Sequence, residues 1–202
     1  HLLSGLEPRG VPSGLAGTAR PFLYNDLAQL RKILEAGDVG TIFMEVERNF
    51  PPAPGFLEGV RRLADEYSAV LVFDECTSGF RRVLGGLHLG YGVEPDIAVL
   101  GKTLGNGYGI NAVIGRRGVM ESAQSTFISS TFWTERIGPT AALAALDVME
   151  KEDAPARINT IGNGLRAGWK EIAASSGLEI TITGLPALSS FSITGFQPAE
   201  VR

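Results

Sequence analysis

The sequence is poor in the residues that staple a fold or bind a metal. Its 202 residues include one cysteine, Cys76, and two histidines, His1 and His88. An internal disulfide is therefore excluded, and no Cys/His cluster is at hand for zinc. A reducing, cytoplasmic setting is expected. A basic excess is also lacking, because 18 Lys and Arg stand against 22 Asp and Glu, for a formal net charge of −4. The electrostatic footprint of a nucleic-acid binder is thus missing. No apolar run approaches the roughly 18 residues of a membrane span, so no membrane role is expected. An initiator Met is absent, and the chain stops at Phe196–Arg202, just after a strand-like run. The expectation is a segment of a longer protein.

What is present is the composition of a globular protein, 44% apolar and 20% charged, long enough to bury a core. Residues 1–24 are rich in Gly and Pro and read as loop. A helix is expected from about Tyr24, with Asn25 as cap, Leu27, Leu30, Ile33 and Leu34 inward, and Gly37 closing it. Thr41–Val46 reads as a strand and 49–54 as a Pro-rich loop. A second helix runs from about Gly55 to Tyr67. Two short apolar runs follow, Val70–Phe73 and Ile97–Leu100, each read as a strand buried on both faces. The strand–helix–strand alternation predicts an α/β fold with a mainly parallel sheet flanked by helices.

Residues 76–94 form a Gly-rich loop too long for a simple turn, and such loops are usually functional. Ala112–Gly115 is a further short strand, and 117–134 is expected to be irregular. Helices are expected at about Ile137–Lys151 and Ala154–Ser175. Leu178–Thr183 and Leu188–Thr194 alternate apolar and polar residues, as half-buried antiparallel strands do. That change of strand type suggests one domain over residues 1–150 and the start of a second over 151–202.

Asp74 closes the first apolar run and Lys102 follows the second. If both runs are parallel strands of one sheet, the two side chains meet at its carboxyl edge, where open α/β sheets bind ligands. Three readings arise. Both charges are ordinary solvated ones. Or they are the pair that pyridoxal phosphate requires, a lysine for its aldehyde and an acid for its pyridinium nitrogen. Or V-L-V-F-D-E and G-K-T are pieces of a P-loop nucleotide site. The last reading needs Gly at position 96, which is Asp96, and the order of acid and lysine is reversed.

The stretch F-D-E-C-T-S-G-F-R resembles the D-E-V-x-T-G-F-R block of class III (ω-type) pyridoxal phosphate-dependent aminotransferases, which include glutamate-1-semialdehyde aminomutase. L-G-K-T-L-G-N-G-Y-G-I-N-A-V-I-G resembles that family's lysine block. I-F-M-E-V and P-P-A-P-G-F-L-E-G-V-R-R-L resemble its upstream strand and helix. S-S-T-F-W-T-E-R-I-G-P-T-A-A-L-A-A-L resembles its G-T-[FY]-S-G-N-P block. The match runs from about Tyr24 to Glu150 in the same order.

The resemblance implies the fold-type I architecture and a set of roles. Lys102 would be the Schiff-base lysine and the proton shuttle. Asp74 would bind the pyridinium nitrogen, and Cys76 would pack on the ring. Thr131, or Thr134 in its place, would bind the phosphate from the partner subunit of a homodimer. Glu45 matches the family's strand glutamate. Glu75 and Arg81 match letters of the Asp74 block, as catalytic groups or as structural ion pairs. The implied reaction moves an amino group from a small amine or amino acid to a carbonyl acceptor. Its alternatives are an intramolecular aminomutase and an inactive segment with a structural or binding role.

Three departures stand out. Val46 and Gly109 replace family prolines, and Thr134–Pro139 replaces G-N-P. The family's phosphate loop and ring-stacking aromatic lie upstream of the residues matched here.

Overall fold

Strand–helix–strand alternation in the sequence becomes a parallel sheet in the structure. This computed structural model describes residues 9–129, 131 and 134–195. The first amphipathic stretch forms α1 (Leu27–Leu34). Its cap is Asp26, whose carboxylate accepts the Gln29 N–H at 2.9 Å, and not Asn25 as the sequence suggested. Asn25 takes a left-handed backbone, φ 69°, and its side-chain oxygen accepts the Ala53 N–H at 2.8 Å. Asn tolerates that conformation better than most residues, so it turns the chain and leaves capping to the next acid.

Strand β1 (Thr41–Glu45), helix α2 (Phe56–Glu66) and strand β2 (Val70–Glu75) form one parallel crossover. Strand β3 (Ile97–Leu100) lies parallel on β2, and β4 (Ala112–Gly115) pairs antiparallel with β3. The spatial order is β1-β2-β3-β4, so the two apolar runs are indeed parallel neighbours. The long loop between them carries a single 3₁₀ turn, Leu87–Gly90.

Register sorts the side chains onto two faces. Ile42, Met44, Leu71 and Phe73 share one face and pack beneath Leu30 and Leu34 of α1 and Phe56, Val60, Leu63 and Ala64 of α2. Leu71 and Phe73 are wholly buried, and burial of that kind contributes roughly 1.5–3 kcal/mol per side chain. The opposite face is covered unevenly, with Val72 of β2 buried as a strand covered on both faces requires. Phe43 is 58% and Val113 53% exposed, and Ile97 and Val99 are half-buried. Among the described residues, α1 and α2 cover one face only.

Helix α3 (Arg117–Met120) and a 3₁₀ segment, Glu121–Ser125, replace part of the irregular stretch expected at 117–134. Helices α4 (Ile137–Lys151) and α5 (Ala154–Ser175) have the expected ends. A second apolar cluster joins Ala142 and Met149 of α4 to Phe80, Leu100 and Leu104. The turn that carries Lys102 is therefore braced from behind. Strands β5 (Ile180–Thr183) and β6 (Ser190–Ile193) form an antiparallel pair. Leu185, between them, is buried in the first core. His1, Ser130, Phe132, Trp133 and 196–202 lie outside the described residues.

Helix α5 meets the 186–188 turn backbone to backbone at Gly162. A Cβ there would stand 2.1 Å from the Pro186 carbonyl oxygen. Alanine is the better helix former by ~1 kcal/mol, yet Gly162→Ala is expected to destabilise by ~1–3 kcal/mol through overpacking. Gly164→Ala, where a Cβ meets nothing within 4 Å, is the control and should stabilise by ~0.5–1 kcal/mol. Guanidinium unfolding of the two variants checks the contrast.

Candidate active site

Asp74 and Glu75 are neighbours in sequence and face opposite sides of β2, because strand side chains alternate. Glu75 falls on the core side and is wholly buried. Its carboxylate accepts the Ser78 hydroxyl at 3.0 Å, the Leu87 N–H at 2.5 Å and the His88 N–H at 2.9 Å. The His88 ring Nδ1 lies 2.6 Å away. Burial pushes the Glu75 pKa up, but the His88 ring, the two N–H groups and the Ser78 hydroxyl outweigh it and hold the carboxyl below its ordinary value. Glu75 is thus the anchor of the Gly-rich loop, the structural one of the two roles open to it.

Asp74 falls on the other side, level with Glu45 of β1 and Val99 of β3. Its Oδ1 accepts the Cys76 N–H at 3.0 Å and bends the chain out of the strand. Gly101 and Lys102 follow the end of β3, and Lys102 has a left-handed backbone, φ 45°. Lys102 Nζ donates to Thr77 Oγ1 at 2.6 Å and lies 3.9 Å from Cys76 Sγ. Glycine at 101 permits this closure, since a Cβ would sit 2.7 Å from Cys76 Sγ and 2.2 Å from Asn111 Oδ1. Lys102, Cys76 and Thr77 are in contact, and Asp74 begins the turn that holds the last two.

The other candidates are placed elsewhere. Thr131 and Thr134 lie in exposed turns before α4, and among the described residues no hydrogen bond joins either to Lys102. Glu45 pairs with Arg48 at 3.0 Å. Arg81 has no ion pair among the described residues, so that reading is corrected. Its Nε donates to the Thr77 carbonyl at 3.2 Å, and burial lowers its pKa. The Asn159 amide of α5 donates to the Arg81 carbonyl at 2.6 Å. A groove of about 1310 Å³ runs between residues 16–22, α1 and β1 and contains neither Asp74 nor Lys102. The site is assigned by its amine and carboxylate, not by cavity size.

Thr77, Asn111 and His88 are the residues that sequence reasoning passed over. Thr77 was visible as a hydroxyl three residues beyond a strand-end acid. His88 was weighed as a metal ligand alone. Among the described residues no cluster suited to a metal ion exists, and no helix is long and apolar enough to cross a membrane.

An amine, a thiol and a hydroxyl grouped at the end of a parallel sheet, beside an acid on the next strand, invite comparison with known proteins. The family model "Aminotransferase class-III" matches residues 48–197. The chain belongs to this family. It is 36% identical over 189 residues to a 3-aminobutyryl-CoA aminotransferase of Cloacimonas acidaminovorans, covering 88% of this chain and 45% of the relative. It is also 36% identical to a glutamate-1-semialdehyde 2,1-aminomutase of Methanothrix thermoacetophila, covering 90% and 44%. The class III chain superposes on the PLP internal aldimine form of the Sphingopyxis sp. MTA144 FumI protein with a TM-score of 0.83 at 27% identity, covering 87% of this chain and 44% of that one. It spans less than half the length of each. The expected fold-type I architecture, a mainly parallel sheet flanked by helices, agrees with that superposition.

Proposed function

We propose that this chain is the lysine-bearing part of a pyridoxal phosphate-dependent aminotransferase. The observation that carries the reading is the Lys102 amine, held at the sheet edge against Thr77 and Cys76, one strand from Asp74. The residues present fit the cofactor: an amine for an aldehyde, a carboxylate for a cationic nitrogen, and a backbone at Gly101 that leaves room for both strands to close. Bound there, the cofactor supplies an aldehyde for amines and a cationic ring that withdraws electrons from the adjoining carbon.

The chain's own residues do the rest. Lys102 would hold the cofactor through Nζ, and a free Nζ would take and return a proton as general base and acid. The Asp74 carboxylate accepts from the ring nitrogen, a charge-assisted bond roughly twice as strong as a neutral one. Cys76 packs on the ring. Thr131 reaches the phosphate of the partner subunit's site in a homodimer, as the family resemblance implies. Residues 1–150 belong to the large cofactor domain and 151–202 begin the small one. Substrates are a small amino donor and a carbonyl acceptor. A free Cys76 accords with a reducing cytoplasmic setting.

An intramolecular aminomutase is a second reading, favoured by the relatives of that name and by the T-S-G-F-R form of residues 77–81. It uses the same residues and differs in returning the amine to the molecule that gave it.

The test is direct. Full-length protein mixed with pyridoxal phosphate should give a visible absorption band, and borohydride should fix the cofactor to Lys102, read by peptide mapping. Label on another lysine, or no band, overturns the reading and leaves an inactive segment. Isotopic nitrogen returned to its own carbon skeleton, rather than to an added keto acid, would favour the aminomutase.

A further inference from the structure

We infer that Thr77 is the positioning residue for the Lys102 amine, holding it while it is free of the cofactor. This rests on the aminotransferase reading and adds a role that neither the acid nor the lysine performs.

Lys102 is fixed at its base and loose along its stem. Its backbone is set by the turn, where the Leu104 N–H donates to the Gly101 carbonyl at 3.0 Å and the Asn106 N–H to the Lys102 carbonyl at 3.1 Å. The flexible four-carbon stem is rich in rotamers that must be given up for the head to be held in one place. Among the described residues, the head is held by the Thr77 hydroxyl at 2.6 Å, with Cys76 Sγ a weaker acceptor at 3.9 Å.

Thr77 itself is pinned from both sides. Asp74 Oδ1 takes the Cys76 N–H before it. The Ser78 hydroxyl after it is tied to buried Glu75. The Gly79 N–H bonds the Glu75 carbonyl at 2.8 Å, and Arg81 Nε bonds the Thr77 carbonyl at 3.2 Å. A hydroxyl on a backbone so fixed is a preset acceptor, and preset geometry is what converts an encounter into a reaction.

The bond needs an N–H on Nζ, which the free amine always carries. That is the state before cofactor capture and the state in which Nζ carries a proton. In capture, Nζ bonds to the aldehyde carbon, and the aldehyde oxygen leaves as water with both amine protons. An amine that donates one N–H to Thr77 keeps its lone pair available for that attack.

The experiment reads capture rather than turnover. Cofactor-free full-length protein is mixed with rising pyridoxal phosphate in a stopped-flow instrument, and growth of the visible band is separated into a saturable binding step and a first-order capture step. Thr77→Val should slow capture about fivefold, the equivalent of one ordinary hydrogen bond, with the half-saturating concentration unchanged. Thr77→Ser should restore it to within twofold. Should the valine variant fail to fold, Thr77→Ala against Thr77→Ser gives the same contrast. Capture in Thr77→Val or Thr77→Ala as fast as in the wild type overturns the inference, as does a serine variant as slow as valine. No band in the wild type would instead overturn the aminotransferase reading itself.

Discussion

Lys102→Ala in the full-length protein is expected to lower amino transfer by ~10²–10⁴-fold or more, the usual worth of a positioned proton carrier, and to abolish borohydride-stable cofactor. Its thermal midpoint should move by less than about 2 °C. The two halves of that expectation come from one local geometry. Lys102 is exposed and makes one close hydrogen bond, to Thr77. Removing such a side chain changes stability by about 0.5 kcal/mol at most. The turn beneath it is held by backbone bonds and by Leu104 in the second apolar cluster, none of which needs the amine. Lys102→Arg separates charge from proton transfer. A guanidinium keeps the positive charge but stays protonated, so it should be as inactive as alanine. Added methylamine should restore part of the turnover to the alanine variant and none to arginine, whose side chain fills the space. Turnover of Lys102→Ala within threefold of the wild type would remove Lys102 from the mechanism.

The sheet was legible because its signals are local. Val70–Phe73 and Ile97–Leu100 are runs too short for helices, and each is followed within two positions by a charged residue. The structure pairs them in parallel, Phe73 beside Ala98. The β2 run is buried on both faces as expected, Val72 opposite Leu71 and Phe73, while the β3 run is only half-covered at Ile97 and Val99. An apolar residue records what a strand is suited to bury, whereas Phe43 and Val113 show that helices α1 and α2 reach only one face here. The cap at Asp26 was missed for a similar reason. Asn25 and Asp26 are both good caps by type, and only the backbone turn at Asn25 decides between them.

The site divides in the same way. Asp74 and Lys102 stood out as strand-end groups, and parity along β2 then separates Asp74 from Glu75, a distinction that the letters D-E alone do not make. Thr77 and His88 depend on where a long loop folds back. The loop returns over the strand end because Leu87 and His88 find the Glu75 carboxylate, a contact across 12 or more positions that no local pattern encodes. The family block left Arg81 open between a catalytic and an ion-pair role, whereas the structure uses its Nε to brace a carbonyl.

Glu75 should accordingly be the costliest residue to lose for stability. Glu75→Ala would strand the Ser78 hydroxyl, the Leu87 and His88 N–H groups and the His88 ring in a site without water-facing surface. Breaking a buried, hydrogen-bonded pair of this kind costs ~3–5 kcal/mol. Guanidinium unfolding should show that loss as a lower midpoint. The carboxylate also makes stability depend on pH with a defined sign. Its folded pKa lies below the ordinary value, so the unfolded chain binds the proton more readily. The contribution is complete above the unfolded value of about 4.3 and is lost as pH falls through the folded value. Asp96, also held low by the Leu71 N–H and by Arg61 against the opposing effect of its burial, adds a loss of the same sign. The wild type should therefore lose stability steeply below about pH 4.3, and Glu75→Gln, lower throughout, should lose it less steeply because one buried titrating acid is gone. An acid slope in Glu75→Gln as steep as in the wild type would mean that other carboxylates govern the transition and that Glu75 does not anchor the loop.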